Sequence, residues 1–338
     1  MPDTLIVRLP NWLGDTVMAV PAVRALREAR ADGRLALVGP WATLLAGQGL
    51  ADVLVPYARS WTSRLAKWDE LRALGAAAIV LLPNSFEAAL AAWYWGARRR
   101  VGFDTGGRRW LLTDPMAVPM PRRHQIDEYL LVVERLGIAG GEPIPRLSAP
   151  LADSAERATV RELLREAGVA VDGPPVVGIH LGAAFGPSKL WPTERIADLC
   201  RLLAARGEIA VLLGAPDDVD VARRVVGETG ARSLVGRDSP ALLPSLLVEI
   251  DALVCGDTGV GHLAAALGTP VVALFGPTDA RLSAPRGPAR VISHAVACAP
   301  CFYRACPIDH PCLRGIDARE VREALDAVLA STVPGAGR

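Results

Sequence analysis

The stretch Cys255-Gly-Asp-Thr-Gly-Val-Gly-His-Leu-Ala264 sets a carboxylate, a hydroxyl, glycines and an imidazole between an apolar run, 252–254, and a small-residue run, 263–267. This order predicts a strand, a tight turn and a helix. A glycine-rich turn at a helix N-terminus leaves backbone N–H groups free at the positive end of the dipole, which suits a phosphate. A second strand–turn–helix lies near the start: residues 5–9, then Asn11-Trp-Leu-Gly-Asp15, then 16–29. Asp15 there reads as a helix-end carboxylate, a feature that stabilises a helix by about 1 kcal/mol. It also reads as a base at the carboxyl edge of a sheet, where α/β folds bind ligands. Two such sites in two halves suggest a ligand held between two domains.

Further candidates follow. His180-Leu-Gly-Ala-Ala-Phe-Gly-Pro-Ser-Lys-Leu-Trp-Pro192 begins at the end of an apolar run and carries Lys189 on a glycine-flanked loop. A lysine there is either solvated or placed to neutralise a leaving phosphate. Asp217, Asp218 and Asp220 follow the run 209–213. An acid-rich helix start is the first reading, a ribose contact the second, an Asp-x-Asp metal site the last. Gly259-x-Gly261-x-x-Ala264 with Asp279 formally fits a dinucleotide fingerprint and so a nicotinamide oxidoreductase. Against that, Asp257 would sit beside the pyrophosphate, and the turn opens a late unit of its domain. Cys298, Cys301, Cys306 and Cys312 are close enough to ligate zinc, but their spacing is not that of paired knuckles, and reduced loop thiols are the simpler expectation.

With 338 residues, the chain has room for two domains. Half of it is apolar (51%), and the formal net charge is only +1, so no global field favours nucleic acid. Local basic clusters, Arg98-Arg-Arg100, Arg108-Arg109 and Arg122-Arg123, read as a solvated face or an anionic-acceptor site. Met1-Pro-Asp-Thr4 has no basic segment, and no run reaches the roughly 18 apolar residues of a membrane span. A cytoplasmic protein is expected. Six cysteines are too sparse for a disulfide scaffold.

Continuous apolar runs at 5–9, 35–38, 53–55 and 78–82 recur at 176–181, 209–213, 252–254 and 271–275. They predict parallel strands covered by helices on both faces, an α/β doubly wound sheet formed twice. Pro-rich breaks at 142–150 and 172–175 flank a helical segment, 154–167. The boundary is expected within 140–175, giving domains of 1–160 and 170–330. The Pro/Gly-rich tail 332–338 is expected to fray.

In order and spacing, several stretches resemble the family 9 glycosyltransferases, the ADP-heptose:lipopolysaccharide heptosyltransferases, most closely the heptosyltransferase II branch. They are Arg8-Leu-Pro-Asn-Trp-Leu-Gly-Asp15, Pro83-Asn-Ser-Phe86, Gly186-Pro-Ser-Lys-Leu-Trp-Pro192, Asp257-Thr-Gly-Val-Gly-His262 and Phe275-Gly-Pro-Thr-Asp279. The segment Cys298-Ala-Pro-Cys-Phe-Tyr-Arg-Ala-Cys306 is similar to that branch too. The resemblance implies a GT-B architecture, two Rossmann-like domains facing across a cleft. The N-terminal one would hold a lipid-linked saccharide acceptor and the C-terminal one the nucleotide sugar. It implies an inverting transfer with no cofactor and no obligatory metal, by an enzyme able to touch the inner face of the inner membrane peripherally.

By position, Asp15 matches the general base and Lys189 the lysine on the phosphates. Thr258 and Gly259 would donate N–H groups to the same phosphates. Gly261 and His262 lie in the same nucleotide-sugar segment, Asp257 would fix the turn or the sugar, and Asp218 would contact ribose. Leu181-Gly-Ala-Ala184 lacks the hydroxyl residues some relatives place near the phosphates. The alternatives left open are another nucleotide sugar or acceptor, the oxidoreductase, and a binding module without turnover.

Overall fold

The computed structural model describes residues 4–58, 60–170, 173–237 and 239–331. The tail 332–338 and Asp172 of the second Pro-rich break lie outside them. The chain divides between Pro145 and Arg146.

The first unit is built on β1 (Thr4–Arg8), β2 (Arg34–Gly39), β3 (Val53–Pro56), β4 (Ala78–Leu81), β5 (Arg99–Phe103) and β6 (Asp114–Met116). All pair in parallel, in the order β3-β2-β1-β4-β5-β6. The second unit is built on β7 (Val176–His180), β8 (Ile209–Leu213), β9 (Arg232–Ser233), β10 (Ala252–Gly256), β11 (Val271–Phe275) and β12 (Ala289–Ser293). These too are parallel, ordered β12-β11-β10-β7-β8-β9. Counted within each unit, the two orders are identical. Each reverses direction of build between its first and fourth strands, β1 and β4 or β7 and β10. That reversal opens a crevice beyond the carboxyl ends of those strands. The Rossmann-like, doubly wound α/β fold expected from the sequence is therefore present twice.

The central strands are apolar because both faces are covered. Every residue of β1 and β11 is buried. Elsewhere the sequence pattern was misleading. β5, β6, β9 and β12 were not anticipated, and each is polar or short. β5 opens with Arg99 and Arg100, whose guanidiniums turn to Asp114 Oδ2 (2.7 Å) and to the Leu111 and Ala97 carbonyls. β12 is an edge strand that is largely exposed.

The helix expected at 16–29 is two helices, Leu13–Met18 and Val20–Ala29, with the break at Ala19. Pro21 explains the break: its ring has no N–H to donate and suits only a first turn. The helix Ala155–Glu166 belongs with the second unit, not with a domain of 1–160. Its buried Arg157 meets Glu249 Oε1 at 2.5 Å, and Arg161 meets the same oxygen at 3.0 Å.

Candidate active site

The crevice of the second unit gathers most of the residues singled out in the sequence. Thr258 stands at the N-cap of the helix Gly259–Leu267, just beyond β10, with extended backbone and no side-chain cap hydrogen bond. No acid lies in the first turn of that helix. The Thr258 hydroxyl sits beside the buried Cys255 thiol, a weak partner, and makes no regular hydrogen bond. The helix start is thus uncapped and has no acid in its first turn, which leaves its N–H groups open to an anion.

Lys189 reaches this turn from the loop after β7. Its ammonium donates to Asp257 Oδ2 at 2.5 Å and to the Asp257 carbonyl at 3.2 Å. Both side chains are about nine-tenths buried. Thr278 Oγ1 donates to the same carboxylate oxygen at 2.7 Å. Asp257 therefore does not stand as a bare carboxylate beside the proposed phosphates. It is the joint that ties the loops after β7, β10 and β11 together. Gly256 makes the close approach possible, because a Cβ there would lie 2.8 Å from the Lys189 carbonyl.

His180 ends β7 at the same edge. Burial lowers its pKa to about 4, against a smaller opposing effect of the Gly182 backbone, so the imidazole is neutral at ordinary pH. Its Nδ1 is buried without a partner. Asp218 comes within reach of this edge. Its Oδ2 accepts from Ala215 N at 2.9 Å, and it lies so close to Gly182 and Gly214 that a Cβ on either would stand 2.5 or 2.7 Å from it. Burial raises the Asp218 pKa.

His262 and Gly261 face inward: both are buried, and a Cβ on Gly261 would meet Cys255 Sγ at 2.7 Å. That glycine serves close packing of helix on strand. Asp279, the acid of the dinucleotide fingerprint, is held by Arg281 at 2.7 Å and caps a short helix. The glycine turn also follows the fourth strand of its unit rather than the first, so the oxidoreductase reading is not favoured.

The crevice of the first unit is built differently. Asp15 is the third residue of the helix Leu13–Met18; the N-cap is Trp12. Asp15 is half-buried, and its charge, after burial, helps raise the pKa of the buried Tyr129. The turn ahead of it is fixed by Arg8, which is wholly buried at the end of β1. Arg8 donates to Asn11 Oδ1 at 2.7 Å and to the Leu9 carbonyl, and lies 4.9 Å from the Tyr57 ring centroid. Burial lowers its pKa to about 10, against the opposing pull of Glu87. The helix Phe86–Tyr94, beyond β4, is capped by Ser85 Oγ, which accepts from Ala88 N. Its first-turn acid, Glu87, pairs with Arg64 at 2.9 Å.

Much of the basic clustering is structural. Arg108 is wholly buried and donates to the Phe103, Pro83 and Ser85 carbonyls. Arg122 grips the buried Glu128 with two hydrogen bonds, 2.6 and 2.8 Å. Arg108 therefore serves no solvated basic face, whereas Arg122 and Arg123 remain exposed.

The cysteine segment also positions the site. Ser188, next to Lys189, donates from its N to the Arg304 carbonyl (3.0 Å) and from its hydroxyl to the Tyr303 carbonyl (2.5 Å). Cys301 N and Phe302 N donate to the Pro277 carbonyl, next to Thr278, at 3.0 and 2.8 Å. The segment thus clasps both loops that converge on Asp257. Among the described residues no group of three or more His, Cys, Asp or Glu is arranged to hold a metal ion. Ser188, Thr278 and Arg8 lay inside motifs quoted above, but residue type alone gave them no role.

The sequence model of glycosyltransferase family 9 (heptosyltransferase) matches residues 64–311. The chain is 26% identical over 302 residues to lipopolysaccharide heptosyltransferase 2 of Escherichia coli (strain K12), spanning 83% of this chain and 85% of that one. Among solved structures, E. coli ADP-heptose lipopolysaccharide heptosyltransferase II superposes with a TM-score of 0.80 at 24% identity, over 97% of this chain and 99% of that one. A family 9 glycosyl transferase from Veillonella parvula superposes with a TM-score of 0.83 at 21% identity, over 98% of each chain.

Proposed function

The chain belongs to glycosyltransferase family 9, the heptosyltransferases, and we propose that it moves a heptose from ADP-heptose to the inner core of lipopolysaccharide with inversion at the anomeric carbon. The observation that carries the donor half is the uncapped, acid-free helix start at Thr258–Gly259, with a lysine bonded to the residue before it. That is an anion site by construction, and a diphosphate is its natural occupant. Thr258 and Gly259 would donate backbone N–H groups to it, Lys189 would stand over it, and Asp218 would receive a ribose hydroxyl. His180, neutral and lacking a partner at Nδ1, is available to the ligand without adding charge.

The first unit would hold the lipid-linked saccharide acceptor and supply the base. Asp15 takes the proton from the acceptor hydroxyl as its oxygen bonds to the anomeric carbon. The bond from that carbon to the diphosphate oxygen breaks on the opposite face, and ADP leaves with the electron pair. The transition state is oxocarbenium-like, with negative charge building on the diphosphate. Lys189 and the helix N-terminus stabilise that charge, so neither a cofactor nor a metal is needed in this reading.

Among the described residues no helix is long and apolar enough to cross a membrane. We place the enzyme in the cytoplasm, meeting its acceptor at the inner face of the inner membrane. Incubation with ADP-heptose and a truncated core acceptor should yield a product heavier by one heptosyl residue, read by mass spectrometry. Extension from a UDP-sugar but not from ADP-heptose would replace the donor assignment. Turnover of a nicotinamide cofactor would replace the class.

A further inference from the structure

Lys189, the cation that meets the diphosphate in this reading, is already engaged. Its ammonium stands 2.5 Å from Asp257 Oδ2, and such a pair offers an incoming anion little net positive charge. Asp279 and Arg281, beyond β11, offset one another in the same way. Yet the leaving diphosphate gains negative charge as its bond to the sugar breaks.

A second cation shares an aromatic ring with Lys189. The Phe185 ring carries Lys189 Nζ 4.7 Å from its centroid and Arg304 Cζ 5.5 Å from it. The Arg304 side chain is exposed, and its guanidinium makes no hydrogen bond or ion pair among the described residues. The backbone beneath it is fixed. The Arg304 carbonyl accepts from Ser188 N, and it lies 2.5 Å from where a Cβ on Gly186 would stand, so only glycine admits the contact. An arginine anchored by its main chain against the lysine loop, with its fork unengaged, is arranged to receive a group from solution.

We infer that Arg304 is a second diphosphate-binding cation of the donor site, supplying the net positive charge that the Lys189–Asp257 pair lacks. This rests on the reading of the second unit as the nucleotide-sugar site. The planar guanidinium would bind two phosphate oxygens at once. No covalent step involves it; it binds the substrate and follows the charge onto ADP.

The test is calorimetric titration of ADP, and separately adenosine, into the full-length wild type, Arg304→Ala and Arg304→Lys, with melting curves as a folding check. Arg304→Ala should weaken ADP binding by about tenfold or more and leave adenosine binding alone, since a charge-assisted contact is lost only to the phosphates. Arg304→Lys should recover part of the ADP affinity, and the loss in Arg304→Ala should shrink at high salt. Equal ADP affinity in wild type and Arg304→Ala overturns the inference while leaving the donor site standing. A matched loss for ADP and adenosine also overturns it, by reducing Arg304 to a prop for the loop. A wild type that binds no ADP sinks the donor-site reading itself, and this inference with it.

Discussion

The two units share a strand order, yet the helices after their fourth strands start in opposite ways. In the first unit, Ser85 caps the helix Phe86–Tyr94 and Glu87 puts a carboxylate in its first turn. In the second, the helix Gly259–Leu267 has no side-chain cap and no first-turn acid, and the Thr258 hydroxyl turns to the Cys255 thiol instead. The first helix start is closed by the chain's own groups; the second is not. A topology therefore supplies two crevices, and the residues at the helix start decide which one takes an anion. The first crevice keeps its positive charge inward. Arg8 and Arg108 are wholly buried and serve mainly backbone carbonyls. The group proposed to act there is instead a carboxylate, Asp15.

If the units divide the work this way, the largest effect belongs to Asp15. Asp15→Asn keeps the shape and removes the base, so kcat should fall about 10²–10⁴-fold. Near-wild-type turnover would reduce Asp15 to a helix-start carboxylate and leave the first unit without its chemical role.

Lys189→Ala comes next. It should cut kcat/KM for the donor by at least about 10²-fold, because a charged contact in a shielded site is worth a few kcal/mol. It also leaves Asp257 buried without its cation, so a stability loss of up to about 3–5 kcal/mol should appear in the melting curve. Lys189→Arg should restore activity only in part, since the forked guanidinium is wider. Chelation with EDTA should leave most activity. Abolition of turnover by EDTA, with a mild Lys189→Ala, would move the charge to a bound cation, with Asp218 and Asp220 as its ligands.

His180 makes a pH prediction. Its pKa of about 4 when folded lies below the ordinary 6.5, so between those values the unfolded chain binds more protons. Stability should be full above pH 6.5 and fall on acidification toward pH 4, by up to about 3 kcal/mol. A His180→Gln variant should lose that part of the slope in melting temperature against pH. An unchanged slope would place its imidazole in water.

The smallest effects are the sharpest contrast. Ser85→Ala should cost about 1 kcal/mol of stability and leave ADP binding unchanged, because its hydroxyl serves the fold. Gly259→Pro, at the first helical position where a missing N–H is tolerated, should cost little stability but weaken ADP binding about fivefold to tenfold, the worth of one hydrogen bond. If the two variants exchange phenotypes, the open and closed helix starts have been read the wrong way round.

The parts legible in the sequence share a physical cause. Inner strands such as β1, β7 and β10 announce themselves because parallel strands covered on both faces must be continuously apolar. The glycine turn at 256–261 was visible because close backbone approach restricts residue type. β5 was hidden because Arg99 and Arg100 satisfy their charge through Asp114 and the Leu111 carbonyl, brought in from later in the chain, with the nearby Ala97 carbonyl. The Lys189–Asp257 bond joins residues 68 apart, and Ser188 meets Tyr303 across 115. No local pattern encodes such pairs. Asp257 thus looked like an obstacle to phosphate binding until its lysine was in place.

The division of labour is tested most directly by calorimetric titration of ADP into the wild type, Asp15→Asn and Lys189→Ala. The account predicts that wild type and Asp15→Asn bind ADP with the same affinity, and that Lys189→Ala binds it at least about tenfold more weakly. Loss of ADP binding in Asp15→Asn with full binding in Lys189→Ala would contradict it, by placing the diphosphate at the wrong sheet edge.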